Sequence, residues 1–172
     1  MKKIVFFDGD GTIWYPKKTK RSKKPHWVYH TYTNYKPHLV LTPTALATLR
    51  ALCKRNIVIV LLSTHPHSPK EANEILQEKV RHFHLEKYFD VVIATRTKPA
   101  SKAQYIVKVL KKLSISKSQA VMVGDSYKWD YQPARQAGID ALLLDSEYRK
   151  ADPKAKKVQR VIKYLQDILE YV

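Results

Sequence analysis

Five short apolar runs alternate along the chain with stretches of helical periodicity, and this alternation is the feature that most constrains the fold. The runs are almost uninterrupted in apolar residues, as a parallel strand covered on both faces requires. The stretches between them carry apolar residues three and four positions apart, as crossover helices do. The order of these elements therefore predicts an α/β domain with a central parallel sheet.

The limits of these elements follow from the apolar pattern. The predicted strands cover residues 3–7, 57–62, 91–94, 120–123 and 141–144. The predicted crossover helices cover residues 44–54, 69–83, 101–113 and 130–137, and Gly138 is placed to end the last of them. A final apolar stripe predicts one more helix, which packs against the sheet. Its members are Val158, Val161, Ile162, Leu165, Ile168, Leu169 and Val172.

Length and composition indicate one globular domain over residues 1–172. A chain of 172 residues buries about 70% of the surface that its unfolded form exposes, which is enough for a core without disulfides. The longest apolar run, residues 57–62, is far shorter than a membrane span, and Asp8 and Asp10 interrupt the first apolar run too early for a secretory leader. The single Cys53 cannot form an internal disulfide, which fits a reducing compartment. We therefore expect a cytoplasmic protein with no membrane partner.

A formal net charge of +17 is the second constraint, and such a field concentrates anions near the surface. Six cations lie between Lys17 and Lys24, within residues 15–41, a segment without helical periodicity. Four aromatic residues follow among β-formers: Trp27, Tyr29, Tyr32 and Tyr35. We interpret residues 15–41 as an inserted basic flap or exposed β-hairpin, called the flap below. Aromatic rings beside cations can stack on bases, which makes nucleic acid a candidate partner. The alternative is that these rings only stabilise the hairpin.

A pair of acids follows the first predicted strand, in the segment Asp8-Gly9-Asp10-Gly11-Thr12. Open α/β folds bind ligands at the carboxyl ends of their strands. Two carboxylates there would repel each other unless a cation neutralised them, and hard oxygen ligands favour Mg²⁺. A calcium-binding loop of similar sequence would need ligands at Phe6 and Lys17, and neither side chain can supply one. A dinucleotide-binding loop is excluded because the aspartates would repel a pyrophosphate.

Two further predicted strands end in polar residues. One ends in Gly124-Asp125, and an acid this close to a buried strand end needs a partner. Asp130 follows at a predicted helix start, where the helix dipole alone would also favour an acid. The other strand is followed by Ser63 and Thr64, which offer hydroxyl and backbone N–H groups to an anion, although both residue types are also common caps.

These three strand ends, in this order, resemble the haloacid dehalogenase superfamily of phosphotransferases over essentially the whole chain. The segment from Asp8 to Thr12 is similar to the first motif of the superfamily, Ser63 to the second, and the segment from Gly124 to Asp130 to the fourth. The resemblance implies a Rossmann-like three-layer sandwich with a central parallel sheet.

The third motif is a lysine before the fourth motif, and the chain has two candidates. Lys98 stands in a Lys-Pro pair that is common in the superfamily, but it lies farther from Asp125 than is usual. Lys102 ends a Pro-Ala-Ser-Lys segment that is similar to the Pro-Gly-Ser-Lys form of small magnesium-dependent phosphatases, with matching spacing. We prefer Lys102.

The resemblance also implies a mechanism. Asp8 would attack phosphorus and form an aspartyl-phosphate, while Asp10 would protonate the leaving oxygen and then activate water. The implied cofactor is Mg²⁺, held by Asp8, Asp125 and the backbone carbonyl of Asp10, with Asp130 assisting directly or through water. Dehalogenases and P-type ATPases of the superfamily lack an acid at the position of Asp10, so its presence favours hydrolysis of a phosphate ester.

The remaining motif residues are implied to bind phosphate or to support the loops. The candidate phosphate ligands, which would neutralise the phosphoryl oxygens, are Ser63, Thr64, Lys102 and Lys98. The candidate supporting residues are Thr12, Gly9 and Gly124.

The flap is much smaller than the cap domain that many relatives insert between the first and second motifs, so the resemblance implies a capless enzyme. Caps shield small substrates from water, and an open site suits a bulky phosphorylated partner or shielding within an oligomer. The sequence therefore predicts a Mg²⁺-dependent phosphomonoester hydrolase. Two alternatives stay open: a phosphatase of nucleic-acid ends or nucleotides, and a non-catalytic polyanion-binding protein on the same fold.

Overall fold

The computed structural model describes residues 1–17, 34–96, 102–145 and 158–172. The strands within these ranges are β1 (Ile4–Phe7), β2 (Trp14–Pro16), β3 (Leu39–Leu41), β4 (Val58–His65), β5 (Val91–Arg96), β6 (Ala120–Gly124), β7 (Asp140–Leu144) and β8 (Val161–Ile162). Six of these described strands form one parallel sheet in the order β5-β4-β1-β6-β7-β8. The predicted central parallel sheet is confirmed.

The first strand lies at the centre of this sheet. Its four residues are fully buried and pair with β4 on one side and β6 on the other, so that Phe7 lies opposite both Leu61 and Val123. The chain fills one side of β1 with β4 and β5 and then crosses to the other side for β6, β7 and β8. Such a reversal of strand order opens a crevice at the carboxyl ends of the central strands.

Helices cover both faces of the sheet. They are α1 (Ala45–Lys54), α2 (Pro69–His82), α3 (Lys102–Leu113) and α4 (Gln132–Ala137). Successive side chains of a strand point to opposite faces: Val5 and Phe7 pack with apolar residues of α1 and α2, whereas Ile4 and Phe6 pack with those of α3 and α4. The result is the three-layer sandwich expected from the resemblance. Within the described ranges, no helix has the length and apolar character needed to cross a membrane.

The flap is closed at its base by an antiparallel ribbon. Strands β2 and β3 pair there, with Trp14 opposite Leu41 and Pro16 opposite Leu39. Residues 18–33, which hold most of the basic run and Trp27, Tyr29 and Tyr32, lie outside the described residues. The predicted hairpin therefore stays a prediction over that part.

The prediction of a single C-terminal helix over the apolar stripe is wrong. Val161 and Ile162 instead form β8, which extends the sheet by pairing with Leu143 and Leu144. A short 3₁₀ helix, Leu165–Glu170, follows and packs against α1. The side chain of Asp167 accepts hydrogen bonds from the backbone N–H groups of residues 163 and 164, which fixes the start of this helix after the strand. The apolar stripe is nevertheless buried, since Leu165 and Ile168 are fully inaccessible.

Two other predicted boundaries near the crevice also differ. Strand β4 continues to His65 rather than ending at residue 62, because β5 pairs with it as far as Arg96. Asp130 does not start an α-helix but lies within a π-helical turn, Tyr127–Tyr131, in which the N–H of Tyr131 donates to the carbonyl of Ser126. Such turns are frequent at functional sites.

Candidate active site

A tight loop carries the first acid pair away from the end of β1. The N–H of Asp8 donates to the carbonyl of Val123 at 2.9 Å, which continues the pairing with β6 for one residue. The carbonyl of Gly9 then accepts from the N–H groups of Ile13 at 2.9 Å and Trp14 at 3.2 Å. Gly11 has a φ of 92°, and a side chain there would collide with the carboxylate of Asp125. The loop is thus folded directly against the end of β6.

Three buried carboxylates converge at this point. Asp8, Asp125 and Asp130 are 7%, 6% and 1% exposed, and one oxygen from each lies within 4.8 Å of the others. These residues come from the ends of β1 and β6 and from the π-helical turn. The carboxylate of Asp10 is not part of this group.

Lys102 pairs with two of these acids. Its Nζ donates to Oδ1 of Asp8 and to Oδ1 of Asp130, at 2.5 Å in each case, and the residue is 2% exposed. Of the two candidate lysines, Lys102 therefore lies at the site, whereas Lys98 falls outside the described residues. Because Lys102 begins α3, the sheet face opposite α1 and α2 supplies this cation.

Burial dominates the electrostatics of the group. It raises the pKa of Asp8 from 3.8 to about 7; the nearby charge of Asp130 also raises it, and Lys102 opposes both. Burial likewise raises the pKa of Asp130. Burial lowers the pKa of Lys102, but the two carboxylates outweigh that effect and hold it above its ordinary value. The three carboxylates are therefore incompletely neutralised by the protein itself, and a divalent cation that prefers oxygen ligands fits this donor set.

Asp130 is held in place from its other side. Its Oδ2 accepts a hydrogen bond from the N–H of Ser126 at 2.9 Å. Its side chain also occupies the space that a Cβ on Gly124 would need, so the turn closes only over a glycine. These contacts give the predicted supporting residue Gly124 a definite structural role.

Ser63 lies beside the acid loop on β4. It is 1% exposed, its Oγ has no hydrogen-bond partner within the described part of the chain, and a Cβ on Gly9 would lie 2.9 Å from that oxygen. The Oγ1 of Thr12 is likewise buried without a partner among the residues described. Thr64 points to the opposite face of the strand, where its hydroxyl contacts that of Thr95 at 2.9 Å. Ser63 rather than Thr64 is therefore the hydroxyl beside the acid loop.

A lysine that the sequence interpretation missed contacts Asp10. Lys79 on α2 is 1% exposed, and its Nζ donates to both carboxylate oxygens of Asp10 at 2.8 Å. The Nε1 of Trp14 donates to Oδ1 of Asp10, also at 2.8 Å. Burial lowers the pKa of Lys79, and the charge of Asp10 opposes this. A signal was present in the sequence: Lys79 is in phase with the apolar stripe of α2 formed by Ala72 and Leu76, where a surface lysine is not expected.

Comparison with known proteins identifies the family. The model of the family described as haloacid dehalogenase-like hydrolase matches residues 8–144, from the acid pair after β1 to the end of β7. The chain belongs to this hydrolase family. The haloacid dehalogenase resemblance read from the motifs is thereby confirmed.

Solved structures agree with this hydrolase fold. A protein of Listeria monocytogenes serotype 4b, described as uncharacterized, has a TM-score of 0.75 and 23% identity, covering 98% of this chain and 96% of that one. A HAD phosphatase from Thermococcus onnurineus has a TM-score of 0.73 and 20% identity, covering 99% and 97%. A predicted phosphoglycolate phosphatase from Haemophilus somnus 129PT has a TM-score of 0.71 and 15% identity, covering 99% and 97%. At these identities the likeness shows the fold. A comparison with curated proteins found no match.

Proposed function

We propose that the protein is a Mg²⁺-dependent phosphomonoester hydrolase that uses Asp8 as its nucleophile. The observation that carries this proposal is the convergence of Asp8, Asp125, Asp130 and Lys102 from separate elements into one buried group at the carboxyl end of the sheet. Two solved structures with this fold are named phosphatases, which is consistent with the proposal.

The reaction proceeds in two displacements. Asp8 attacks phosphorus, the bond from phosphorus to the ester oxygen breaks, and its electron pair leaves with that oxygen, which takes a proton from Asp10. Water then attacks the aspartyl-phosphate and loses a proton to Asp10, and the electron pair of the broken bond returns to Asp8. Both half-reactions therefore use the same acid and base.

The metal would be held by Asp8, Asp125 and the Asp10 carbonyl, with Asp130 beside them, and when bound it would neutralise the charge of the phosphoryl oxygens. The chain itself supplies the remaining contacts. An ammonium has three N–H donors, and two of those on Lys102 serve Asp8 and Asp130. The third donor and the buried Oγ of Ser63 are suited to hold the phosphoryl group in line with Asp8.

Replacement of Asp8 by Asn tests this proposal. The wild-type protein with Mg²⁺ should hydrolyse p-nitrophenyl phosphate, EDTA should stop the reaction reversibly, and Asp8→Asn should abolish it while the circular-dichroism spectrum is unchanged. The matched control Asp90→Asn changes an acid on the far end of the sheet, where its carboxylate accepts the N–H of Ile59, and should keep activity. Undiminished turnover by Asp8→Asn would exclude Asp8 as the nucleophile.

A phosphorylated nucleotide or nucleic-acid end is the second candidate substrate. Trp129 is 41% exposed, and the Nζ of Lys128 lies 4.9 Å from the centre of its ring, on the same turn that holds Asp130. An exposed ring beside a cation provides a stacking platform for a base. Together with the cations between Lys17 and Lys24, which lie mostly outside the described residues, this pair motivates the candidate.

Salt dependence and two variants test this candidate. For a 3′-phosphorylated oligonucleotide, kcat/KM should fall steeply as salt rises, because phosphate contacts release counterions. Trp129→Ala should raise KM for the oligonucleotide and leave KM for p-nitrophenyl phosphate unchanged, with Tyr164→Ala as the control for loss of an exposed ring. A salt-insensitive reaction would count against this candidate, and tight oligonucleotide binding without any hydrolysis would favour a non-catalytic polyanion-binding protein.

A further inference from the structure

Lys79 is buried on the side of α2 that faces the core. It is 1% exposed, whereas Lys70, at the start of the same helix, is exposed, as surface lysines usually are. Burying an ammonium costs several kcal/mol of free energy, and the attraction within a buried ion pair often does no more than offset that cost. An apolar residue of similar length would fill the same volume without this cost. The position of the ammonium therefore calls for an explanation other than stability.

The ammonium of Lys79 is aimed at one carboxylate. Both oxygens of Asp10 accept from it at 2.8 Å, and the indole of Trp14 donates to one of them at the same distance. These three hydrogen bonds fix both the position and the plane of the carboxylate. Asp10 itself is on the loop after β1, 16% exposed at its side chain, and two residues from Asp8.

The contacts around Lys79 hold the ammonium rigidly. Its Nζ lies 5.9 Å from the ring centre of Trp14 and 5.6 Å from that of Tyr35, and cations are attracted to aromatic faces at such distances. Trp14 stacks on Phe83, which directly follows α2, with ring centres 5.8 Å apart. The hydroxyl of Tyr35 donates to Glu78 on α2 at 3.1 Å. Trp14 directly precedes the flap and Tyr35 lies within it, so the flap segment and α2 meet at Lys79.

We propose that Lys79 is a positioning residue that holds the carboxylate of Asp10 where it exchanges a proton with the substrate oxygen and with water. The proposal rests on the proposed function, since it takes Asp10 as the acid and base. The proton moves from Asp10 to the leaving oxygen as the phosphorus–oxygen bond breaks, and from water back to Asp10 in the second half-reaction. Lys79 acts only through its hydrogen bonds to Asp10, and its ammonium takes part in neither proton transfer.

The dependence of rate on the leaving group separates positioning from a merely structural role. A nitrophenolate leaves without much help from an acid, whereas an alkoxide needs the proton that Asp10 supplies. In Lys79→Met, kcat/KM for an alkyl phosphate such as glycerol phosphate should fall by about a hundredfold. For p-nitrophenyl phosphate, the factor by which kcat/KM falls should be about ten times smaller. In an Asp10→Asn background, Lys79→Met should have no further effect on either substrate, because the group it positions is gone.

Two further variants complete the test. Lys70→Met, on the exposed part of the same helix, should match the wild type for both substrates. Trp14→Phe keeps an aromatic ring and removes one donor to Asp10. It should therefore shift the ratio of the kcat/KM values for the two substrates in the same direction as Lys79→Met does, but by a smaller factor. This variant also keeps the proposal open to refutation if Lys79→Met does not fold.

The outcomes distinguish this proposal from the proposed function. The proposed function stands if the wild type hydrolyses both substrates and Asp8→Asn is inactive. The positioning role is nevertheless wrong if, in that case, Lys79→Met and Trp14→Phe retain the wild-type ratio of the two kcat/KM values. A rate increase in Lys79→Met would likewise overturn it, since the lysine would then restrain Asp10 unproductively. If the wild type hydrolyses neither substrate, or Asp8→Asn stays active, the proposed function fails and this proposal fails with it.

Discussion

Replacement of Asp8 by Asn should make the metal-free protein more stable while removing its activity. Asp8 is 7% exposed, and burial, with the charge of Asp130, raises its pKa from 3.8 to about 7 against the opposing effect of Lys102. Each pKa unit corresponds to about 1.4 kcal/mol, so the ionised carboxylate reduces the free energy of unfolding by at most about 4 kcal/mol. This upper limit already includes the opposing effect of Lys102, and relaxation of the folded protein around the buried charge reduces it, so we expect a net gain of about 1 to 2 kcal/mol.

The gain in unfolding free energy should depend on pH, and the raised pKa of Asp8 in the folded protein sets the direction of that dependence. Between 3.8 and about 7 the unfolded chain has ionised Asp8 while the folded protein still holds the proton. The folded state then binds more protons, so the contribution of Asp8 to stability is present at low pH and is lost as the pH rises through this window. Asn does not titrate. The difference in unfolding free energy between Asp8→Asn and the wild type should therefore be smallest at the acid end and largest above neutral pH.

Urea unfolding in EDTA, followed by circular dichroism across this pH range, measures the difference. Asp140→Asn is a control of opposite sign, because a hydrogen bond from Lys2 lowers the pKa of Asp140. That replacement should destabilise the protein at neutral pH, and the effect should disappear as the pH falls below 3.8 through the folded-state pKa. An Asp8→Asn protein that is less stable than the wild type above neutral pH, or a difference that does not change with pH, would refute the reasoning.

Four further replacements have expected outcomes. Gly124→Ala should lower the free energy of unfolding by about 1 to 3 kcal/mol and weaken Mg²⁺ binding in calorimetry, because the new Cβ collides with Asp130. Its control is Gly138→Ala, at a helix end with φ of 81°, which should lower the free energy of unfolding and leave Mg²⁺ affinity unchanged. Lys102→Met should lower kcat by about a hundredfold or more with the fold retained in saturating Mg²⁺, and full activity would exclude Lys102 from the site. Ile168→Ala should cost about 2 to 5 kcal/mol in urea unfolding, and a cost near zero would contradict the burial of the C-terminal segment.

The acid group was predictable because two features of the sequence fix it. Parallel strands end at one edge of their sheet, so Asp8 and Asp125, which each follow an apolar strand, had to approach each other. Glycines beside them indicated close packing, and the structure explains two of these: Gly11 lies against Asp125, and Gly124 lies under Asp130. The choice of Lys102 over Lys98 rested on spacing and agrees with the position of Lys102 between two carboxylates.

The contacts of Asp10 were not predictable, since they depend on tertiary packing between distant segments. Lys79 is separated from Asp10 by 69 positions, and only the docking of α2 on the sheet brings them together. The pattern of α2 nevertheless held a clue, because a lysine in phase with Ala72 and Leu76 is directed into the core.

The C-terminal segment was misassigned because apolar spacing alone does not separate a helix from a short strand and turn. The same stripe is buried in the structure, but Val161 and Ile162 find an open sheet edge at β7, and pairing there satisfies backbone groups that a helix would have satisfied internally. Secondary structure here is decided by an available partner strand, which the local sequence does not report.

Trapping of the phosphorylated protein is the most direct test of the central claim. Radiolabelled phosphoryl substrate, mixed with the protein and Mg²⁺ and quenched in acid after a single turnover, should leave label on one peptide, and mapping should assign it to Asp8. The label should be absent in Asp8→Asn and when EDTA replaces Mg²⁺. Hydrolysis that proceeds with no labelled protein at any quench time, or with the label on another residue, would contradict the account.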